Sequence, residues 1–263
     1  RVLLCPEDPT ECFERTAQAF DLAERLQTPV FVMTDLDIGM NTRLCRPYAW
    51  DDSREYDRGK VMTYERLDAG ADFGRYLDVD GDGIPFRTYP GTHPTRGGYF
   101  TRGTTKNRYA QYSEAGPDYV DNMQRLMRKF ETAKSLVPKP LLYPAEKPAR
   151  FGAIFYGSTS PAMQEALDTL SEKGIHVNAL RIRGFPFADE LSDFVASHPW
   201  VFVIEQNRDA QLKTLMVTDG KINPARLISV LHYDGTPITA RFIVEQISRH
   251  AGARSVVPLK KAS

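Results

Sequence analysis

The sequence predicts an α/β protein that ends in a compact parallel sheet with helices on both faces. A strand, a helix and a strand follow one another in the first forty residues, and beyond residue 150 strands alternate regularly with amphipathic helices. The composition is also that of an ordinary globular chain, with 41% hydrophobic and 26% charged residues. Its 263 residues suit one large domain or two of ordinary size. Since 34 Lys+Arg balance 34 Asp+Glu, there is no global attraction to nucleic acid or to an anionic membrane surface. The longest apolar runs, such as "WVFVI", have the length of strands, far below the roughly 20 residues of a membrane span. Cys5, Cys12 and Cys45 form an odd set without a C-x-x-C pair, which fits a reducing cytoplasm and supplies no zinc or iron–sulfur site unaided.

Arg1 runs directly into "VLLCPED", a strand followed by a helix cap, so the chain is expected to begin inside a domain. Asp8 is the expected N-cap, Pro9 stands at the first helical position, and Glu11 falls where a capping-box carboxylate belongs. Phe13, Ala17, Phe20, Ala23 and Leu26 mark the expected inner face of this helix. "VFVMTD" is the next strand, and strand, helix, strand reads as a right-handed crossover in a parallel sheet.

Residues 41–115 have little periodicity and much Gly, Pro, Arg and aromatic content. So long a stretch is an excursion lying across a partner or serving function, rather than a linker. Tyr48, Trp50, Tyr56, Tyr89, Tyr99 and Phe100 are its expected anchors. A helix is predicted over 117–136, with Tyr119, Met123, Leu126, Phe130, Ala133 and Val137 facing a core or a bundle. "VPKPLLYPAEKP" ends it and reads as a Pro-rich linker. Strand "FGAIFYG", helix 161–173, strand "IHVNALRIRG", helix 188–197, strand "PWVFVIEQN", helix 209–217, strand "RLISVLHY" and helix 239–250 complete the chain.

Within "DVDGDGIP", Asp78, Asp80, Asp82 and Gly83 match positions 1, 3, 5 and 6 of a calcium loop, but position 12 would be Tyr89 instead of a bidentate Glu. The default reading is a solvated acidic turn, with bound Ca²⁺ or Mg²⁺ as the alternative. Gly81-Asp82-Gly83 with Asn107 imitates the metal motif of thiamine-diphosphate enzymes in spacing only, since no helix can follow it in "IPFRTYPGTHP". In "YGSTSPAMQEAL", Ser160 is the expected N-cap, while Ser158 and Thr159 are candidates for holding an anion at the helix start. Glu205, Gln206 and Asn207 fall at the carboxyl end of a strand, where open α/β sheets bind ligands or partners, and Asn207 can equally cap the following helix. His93, with Arg96 and Arg102 nearby, is the histidine best placed to contact an anionic substrate or partner. No complete catalytic constellation is present in the sequence.

The strings "PEDPTECFERTAQAFDLAERLQTPVFVMTDLDIG", "DVDGDGIPFRTYPGTHPTRGGYFTRGT", "DNMQRLMRKFETAKSLVPKP", "FVIEQNRDAQL" and "SVLHYDGTPIT" together resemble the alpha subunit of 2-oxoacid:ferredoxin oxidoreductases, 2-oxoglutarate synthase above all. The resemblance implies that residues 1–40 are the end of a thiamine-diphosphate pyrimidine-binding domain and 41–147 an excursion, long helix and Pro-rich linker. It implies a transketolase C-terminal-like α/β domain over 148–263. It also implies conversion of a 2-oxoacid and coenzyme A to acyl-CoA and CO₂, with electrons passing to ferredoxin. The residues that grip the 2-oxoacid and activate the cofactor would precede Arg1. Thiamine diphosphate and Mg²⁺ would be shared with a beta subunit that also carries a four-iron four-sulfur cluster, and a gamma domain or chain can accompany them. No group would then lie wholly within this chain, which is expected to supply scaffold and interface and to be inactive alone. His93, Arg96, Tyr99, Phe100, Arg102, Glu205, Gln206 and Asn207 are the interface or substrate-facing candidates. "TTKN" at 104–107 departs from the Ser-His pair of relatives, which puts a proton-handling role for that loop in question. The competing expectation is a non-catalytic α/β binding or assembly module.

Overall fold

The computed structural model describes residues 1–255, so residues 256–263 of the expected C-terminal domain lie outside the described residues. The chain separates into two compact units: one of 1–2, 16–31 and 49–137, the other of 3–15, 32–48 and 138 onward.

The second unit holds a five-stranded sheet of β3 (Leu141–Tyr143), β4 (Phe151–Tyr156), β5 (Val177–Ile182), β7 (Trp200–Glu205) and β8 (Leu227–Leu231), in the order β3-β5-β4-β7-β8. β5, β4, β7 and β8 are parallel, as the alternation of strands and helices predicts. Alternate side chains divide between two cores. Phe151, Ala153, Phe155, Phe202 and Ile204 pack with Met163 and Leu170 of α5 (Ser160–Glu172) and with Ile243 and Ile247 of α8 (Ala240–Ser255). Ile154, Val201 and Val203 pack with Leu191 and Phe194 of α6 (Glu190–Ala196) and Met216 of α7 (Gln211–Thr218). Burial on both faces is what a parallel sheet requires.

The Pro-rich stretch departs from its expected role as a plain linker, because its Leu141–Tyr143 segment joins the sheet antiparallel to β5. The apolar run 175–184 also divides. After Ile182 it turns into β6 (Gly184–Phe185), which pairs antiparallel with β1 (Val2–Leu4), and β2 (Val30–Val32) flanks β1 on its other side. The opening strand, helix and strand are thus present, but their small sheet is mixed instead of purely parallel.

Helix α1 (Pro9–Leu26) is capped by Asp8, whose carboxylate accepts from the Glu11 N–H at 2.7 Å, and the Glu11 carboxylate accepts from the Glu7 N–H at 3.1 Å. Its buried residues are Ala17, Leu22 and Leu26, whereas Phe20 is exposed, contrary to the expected face. Residues 41–115 are mostly irregular, with one short helix α3 (Tyr64–Asp68), and a further short helix α2 (Leu36–Met40) precedes them. The six expected aromatic anchors are all exposed.

In the first unit, helix α4 (Gly116–Ala133) lies where 117–136 was predicted; Ala133 and Val137 of the expected face are buried and Leu126 and Phe130 half-buried, but the earlier turns present a different face inward. Arg125, Lys129 and Ala133 are buried, while Tyr119, Val120, Met123 and Met127 are exposed. The cause is a close approach of backbones. Gly83, at φ +80°, presses against α4 so tightly that a Cβ there would sit 2.3 Å from the Lys129 nitrogen. The carbonyls of that loop recruit polar groups of α4: Arg125 donates to Gly83 O at 3.1 Å and Thr132 to Asp82 O at 2.8 Å.

Candidate functional site

The acidic loop is built by local turns. The Asp78 carboxylate accepts from the Gly81 N–H and the Asp82 carboxylate from the Ile84 N–H, at 3.0 and 2.8 Å. These bonds gather Asp78, Asp80 and Asp82 so that one oxygen of each lies within 4.8 Å of the others. The Lys60 ammonium is held by two of the three, 2.6 and 2.8 Å from Asp80 and 2.8 Å from Asp82, and lies 3.0 Å from the carbonyl of Ile84, while Asp78 pairs with Arg128 at 3.0 Å. Its hydrogen bond holds the Asp80 carboxyl below the usual carboxylate range. A divalent ion would have to displace this cation. We therefore expect calcium titrated to about 1 mM, near the weak end of protein calcium sites, to release no heat by calorimetry. A saturable exotherm would show that the ammonium yields.

The carboxyl edge of the larger sheet brings two predicted groups together. The chain runs from β4 to β5 on one side and then returns to β7 on the other, so the strand order reverses between β4 and β7, the usual place for a ligand crevice. Here that place is filled by the chain's own side chains. Gln206 Nε2 donates to Ser158 Oγ at 2.9 Å and to Thr159 Oγ1 at 3.3 Å, and Gln206 Oε1 accepts from the Ile238 N–H at 3.2 Å. Ser158 in turn donates to the Asp35 carboxylate. Ser160 departs from its expected capping role, since its hydroxyl donates to Glu7 and α5 starts through a 3₁₀ turn at Gly157–Thr159 without a side-chain cap. The anions met by these hydroxyls are therefore carboxylates of this chain.

Glu205 is fully buried and accepts from the Leu212 N–H at 2.7 Å, the Lys213 N–H at 3.1 Å and Asn207 Nδ2 at 2.9 Å. Asn207 Oδ1 accepts from the Gln211 N–H at 3.1 Å. Both residues thus serve the orphan N–H groups at the start of α7. Beneath them, burial and the Glu205 charge push the Tyr156 hydroxyl up to about 12, so it stays protonated at neutral pH.

The excursion presents an open cleft of about 470 Å³ lined by Gly98, Tyr99, Phe100, Arg102, Tyr109 and Tyr112. Phe100 is 80% exposed, and the Arg102 guanidinium stands 6.0 Å from the Tyr112 ring centroid. Tyr99, Phe100 and Arg102 of the predicted set line this cleft, whereas His93 and Arg96 are spent on the fold nearby. His93 Nδ1 accepts from the Thr95 and Arg96 N–H groups at 3.2 and 3.0 Å and its ring stacks on Tyr64, while Arg96 donates to the carbonyl of Leu67 at 2.7 Å. Sequence reasoning missed Tyr109 and Tyr112, which are separated by Ala110 and Gln111 in an irregular stretch and belong to no longer periodic pattern. It also missed Lys60, twenty residues before the carboxylates it neutralises.

The residues present do not fit the groups the family resemblance implies. The one described cluster of three metal-capable side chains holds an ammonium, and Cys5 is buried with its thiol pushed up to about 12 by desolvation, the wrong state for a thiolate ligand. Among the described residues, no helix is long and apolar enough to cross a membrane.

No protein-family model matches the chain. It is 26% identical over 260 residues to "2-oxoacid:ferredoxin oxidoreductase 2, subunit alpha" of Aeropyrum pernix, covering 95% of this chain and 38% of that protein. It is 26% identical over 196 residues to "2-oxoglutarate synthase subunit KorA" of Methanocaldococcus jannaschii, covering 72% of this chain and 48% of that protein. The chain therefore spans less than half the length of these curated relatives. Among solved structures, the 2-oxoglutarate:ferredoxin oxidoreductase of Magnetococcus marinus, determined with 2-oxoglutarate, coenzyme A and succinyl-CoA bound, matches with a TM-score of 0.80 at 22% identity, covering 95% of this chain and 42% of that chain. Over nearly its whole length the chain is thus similar in sequence to 2-oxoacid:ferredoxin oxidoreductase alpha subunits, and it shares the fold of the corresponding part of a 2-oxoglutarate:ferredoxin oxidoreductase.

Proposed function

We propose that the chain is part of the alpha subunit of a cytoplasmic 2-oxoacid:ferredoxin oxidoreductase, with 2-oxoglutarate as the substrate. The complex would oxidise 2-oxoacid and coenzyme A to acyl-CoA and CO₂ with ferredoxin as acceptor. The observation that carries this reading is similarity over 95% of the chain, in sequence and in fold, to one part of such proteins. Thiamine diphosphate with Mg²⁺ supplies the carbon-bond chemistry in this reading, at a site shared with the beta subunit, which also carries the iron–sulfur cluster; the acidic loop and Cys5 of this chain fit neither the Mg²⁺ nor the cluster. This chain holds scaffold: Glu205 and Asn207 fix the start of α7, and Gln206 ties β7 to Ser158 and Thr159. The expected domain division at 40 and 147 belongs to the same reading.

The excursion is the partner-facing part in this proposal. Exposed Tyr99, Phe100, Tyr109 and Tyr112 supply rigid apolar area of the kind that anchors interfaces, and Arg102 adds a fork for a carboxylate. The test is co-expression of the chain with an alpha N-terminal region and a beta subunit, read by co-purification and ferredoxin reduction. Phe100→Asp is expected to weaken assembly by about tenfold or more, in the range of a lost hot spot, without changing the circular dichroism of the chain. Assembly and ferredoxin reduction that are undiminished by Phe100→Asp, and by removal of residues 41–140, would overturn the interface role. Failure to support ferredoxin reduction in any complex would favour the non-catalytic module.

A further inference from the structure

The buried cations of α4 lack the partners that burial ordinarily demands. Arg125 and Lys129 are each 6% exposed, and among the described residues neither forms an ion pair. Arg125 donates one bond, to the carbonyl of Gly83, and its Nε is buried without a hydrogen-bond partner. Lys129 donates to the carbonyl of Gln27 at 3.3 Å. Burial, then the neighbouring Arg125 and Arg75, bring the Lys129 ammonium down to about 8, and burial with Arg75 also lowers Arg125.

Other cations converge on the same place. Lys106 Nζ, Arg75 Cζ and Arg125 Cζ stand 5.1, 5.4 and 5.5 Å from the centroid of the Tyr76 ring. Beside that ring is a cavity of about 110 Å³ lined by Tyr76, Asp78, Arg108, Asp121, Arg125 and Arg128, among others. Three guanidiniums against two carboxylates leave one positive charge at the wall, and Arg75 and Lys106 beside the Tyr76 ring and Lys129 near Arg125 add to the local charge. In a chain of zero formal net charge this is a local accumulation.

We propose that this cavity binds one phosphate-type oxyanion, as the free ion or as the phosphoryl group of a monoester. Arg125 lines it, buried and with its Nε bond unmade, and Arg108 and Arg128 line it too, each about half exposed. Arg128 already shares Asp78 at 3.0 Å, but the Arg108 contact with Asp121 is a long 3.4 Å. Guanidinium forks match the oxygens of phosphate, and a dianion neutralises the surplus charge. The volume equals that of about three to four waters, enough for one tetrahedral ion but below the size of organic-ligand pockets.

The test is calorimetry and thermal unfolding of the whole chain with inorganic phosphate and with phosphoethanolamine, each against sodium chloride at matched ionic strength. Saturable binding of at least one is expected. Arg128→Gln, at an exposed position, and Arg125→Met, checked for folding by circular dichroism, should each weaken it about tenfold or more, as for loss of a charge-assisted bond. Equal binding of the two probes, or binding of phosphate alone, assigns the site to the ion; tighter binding of the monoester assigns it to the end of a larger ligand. No heat and no melting shift beyond the salt control for either probe at about 10 mM, a concentration that registers even weak binding, would overturn the proposal. So would binding unchanged in both variants.

Discussion

Arg181→Met is expected to destabilise the sheet-containing unit by about 3 kcal/mol, the lower end of the cost of breaking a buried ion pair. Arg181 lies near the carboxyl end of β5, between β3 and β4, paired in register with Leu141 and Phe155, and is fully buried. Its guanidinium meets Glu7, and Glu11 at 2.7 Å. Burial and the Arg183 charge lower it to about 10, which leaves it charged at neutral pH. The two carboxylates are partly solvated, with side-chain exposures of 23% and 14%, so they are left costly but not wholly stranded. Methionine fills the volume but removes both contacts, and Glu11 keeps the Glu7 N–H bond at 3.1 Å and, among cations, only looser contacts with Arg15 and Arg183 at 3.5 Å. Urea unfolding measures the effect. Adding Glu11→Gln should recover part of the loss, because the stranded charge is then removed; a single-variant loss under about 1 kcal/mol would mean that water compensates the pair.

Gly83→Ala is expected to cost about 3 to 4 kcal/mol, from overpacking and from a left-handed backbone combined. At φ +80° an added Cβ would lie 2.3 Å from the Lys129 nitrogen and 2.6 Å from the Arg125 carbonyl oxygen, and both are helical backbone that cannot turn aside. Gly81, two residues away at φ +81°, has nothing within 4 Å of a Cβ. Gly81→Ala should therefore cost only the conformational part, about 1 to 2 kcal/mol. The difference between the two melting curves isolates the loop-to-helix contact, and equal losses would show that α4 gives way.

Much of the larger sheet was legible because its strands are buried on both faces and its helices have an apolar stripe. The patterns of "AIFY", "WVFVI" and Met163 to Leu170 say so without help from distant residues. Helix α4 was legible as a helix and, through Ala133 and Val137, in the inward face of its C-terminal end, but not in its earlier turns. Tyr119 and Met123 made the apolar stripe, yet the face with Arg125 and Lys129 turned inward because Gly83 admits the loop backbone, whose carbonyls need donors. Hydropathy periodicity cannot register that need. On α1, Ala17 and Leu26 are buried as expected, but Leu22 takes the inward place expected of Phe20.

Of the predicted site residues, Tyr99, Phe100 and Arg102 did come together, and Ser158, Thr159 and Gln206 met at one sheet edge. What the sequence hid was which partners were already satisfied. The calcium-like spacing of Asp78, Asp80 and Asp82 is real, but Lys60 arrives from a separate turn to fill it. Likewise Asp35 and Glu7 reach the hydroxyls of Ser158 and Ser160 from far earlier in the chain.

The short strand β3 also governs how this unit meets others of its kind. A parallel sheet ending at β5 would offer a six-residue row of unpaired backbone groups to a neighbouring molecule. Three residues of β3 cover part of that row, and Pro140 and Pro144 stand at either end of the new edge. Proline has no N–H to donate, and the strand is too brief to template another. The protection against edge-to-edge aggregation thus resides in the stretch that composition alone marks as a mere connection.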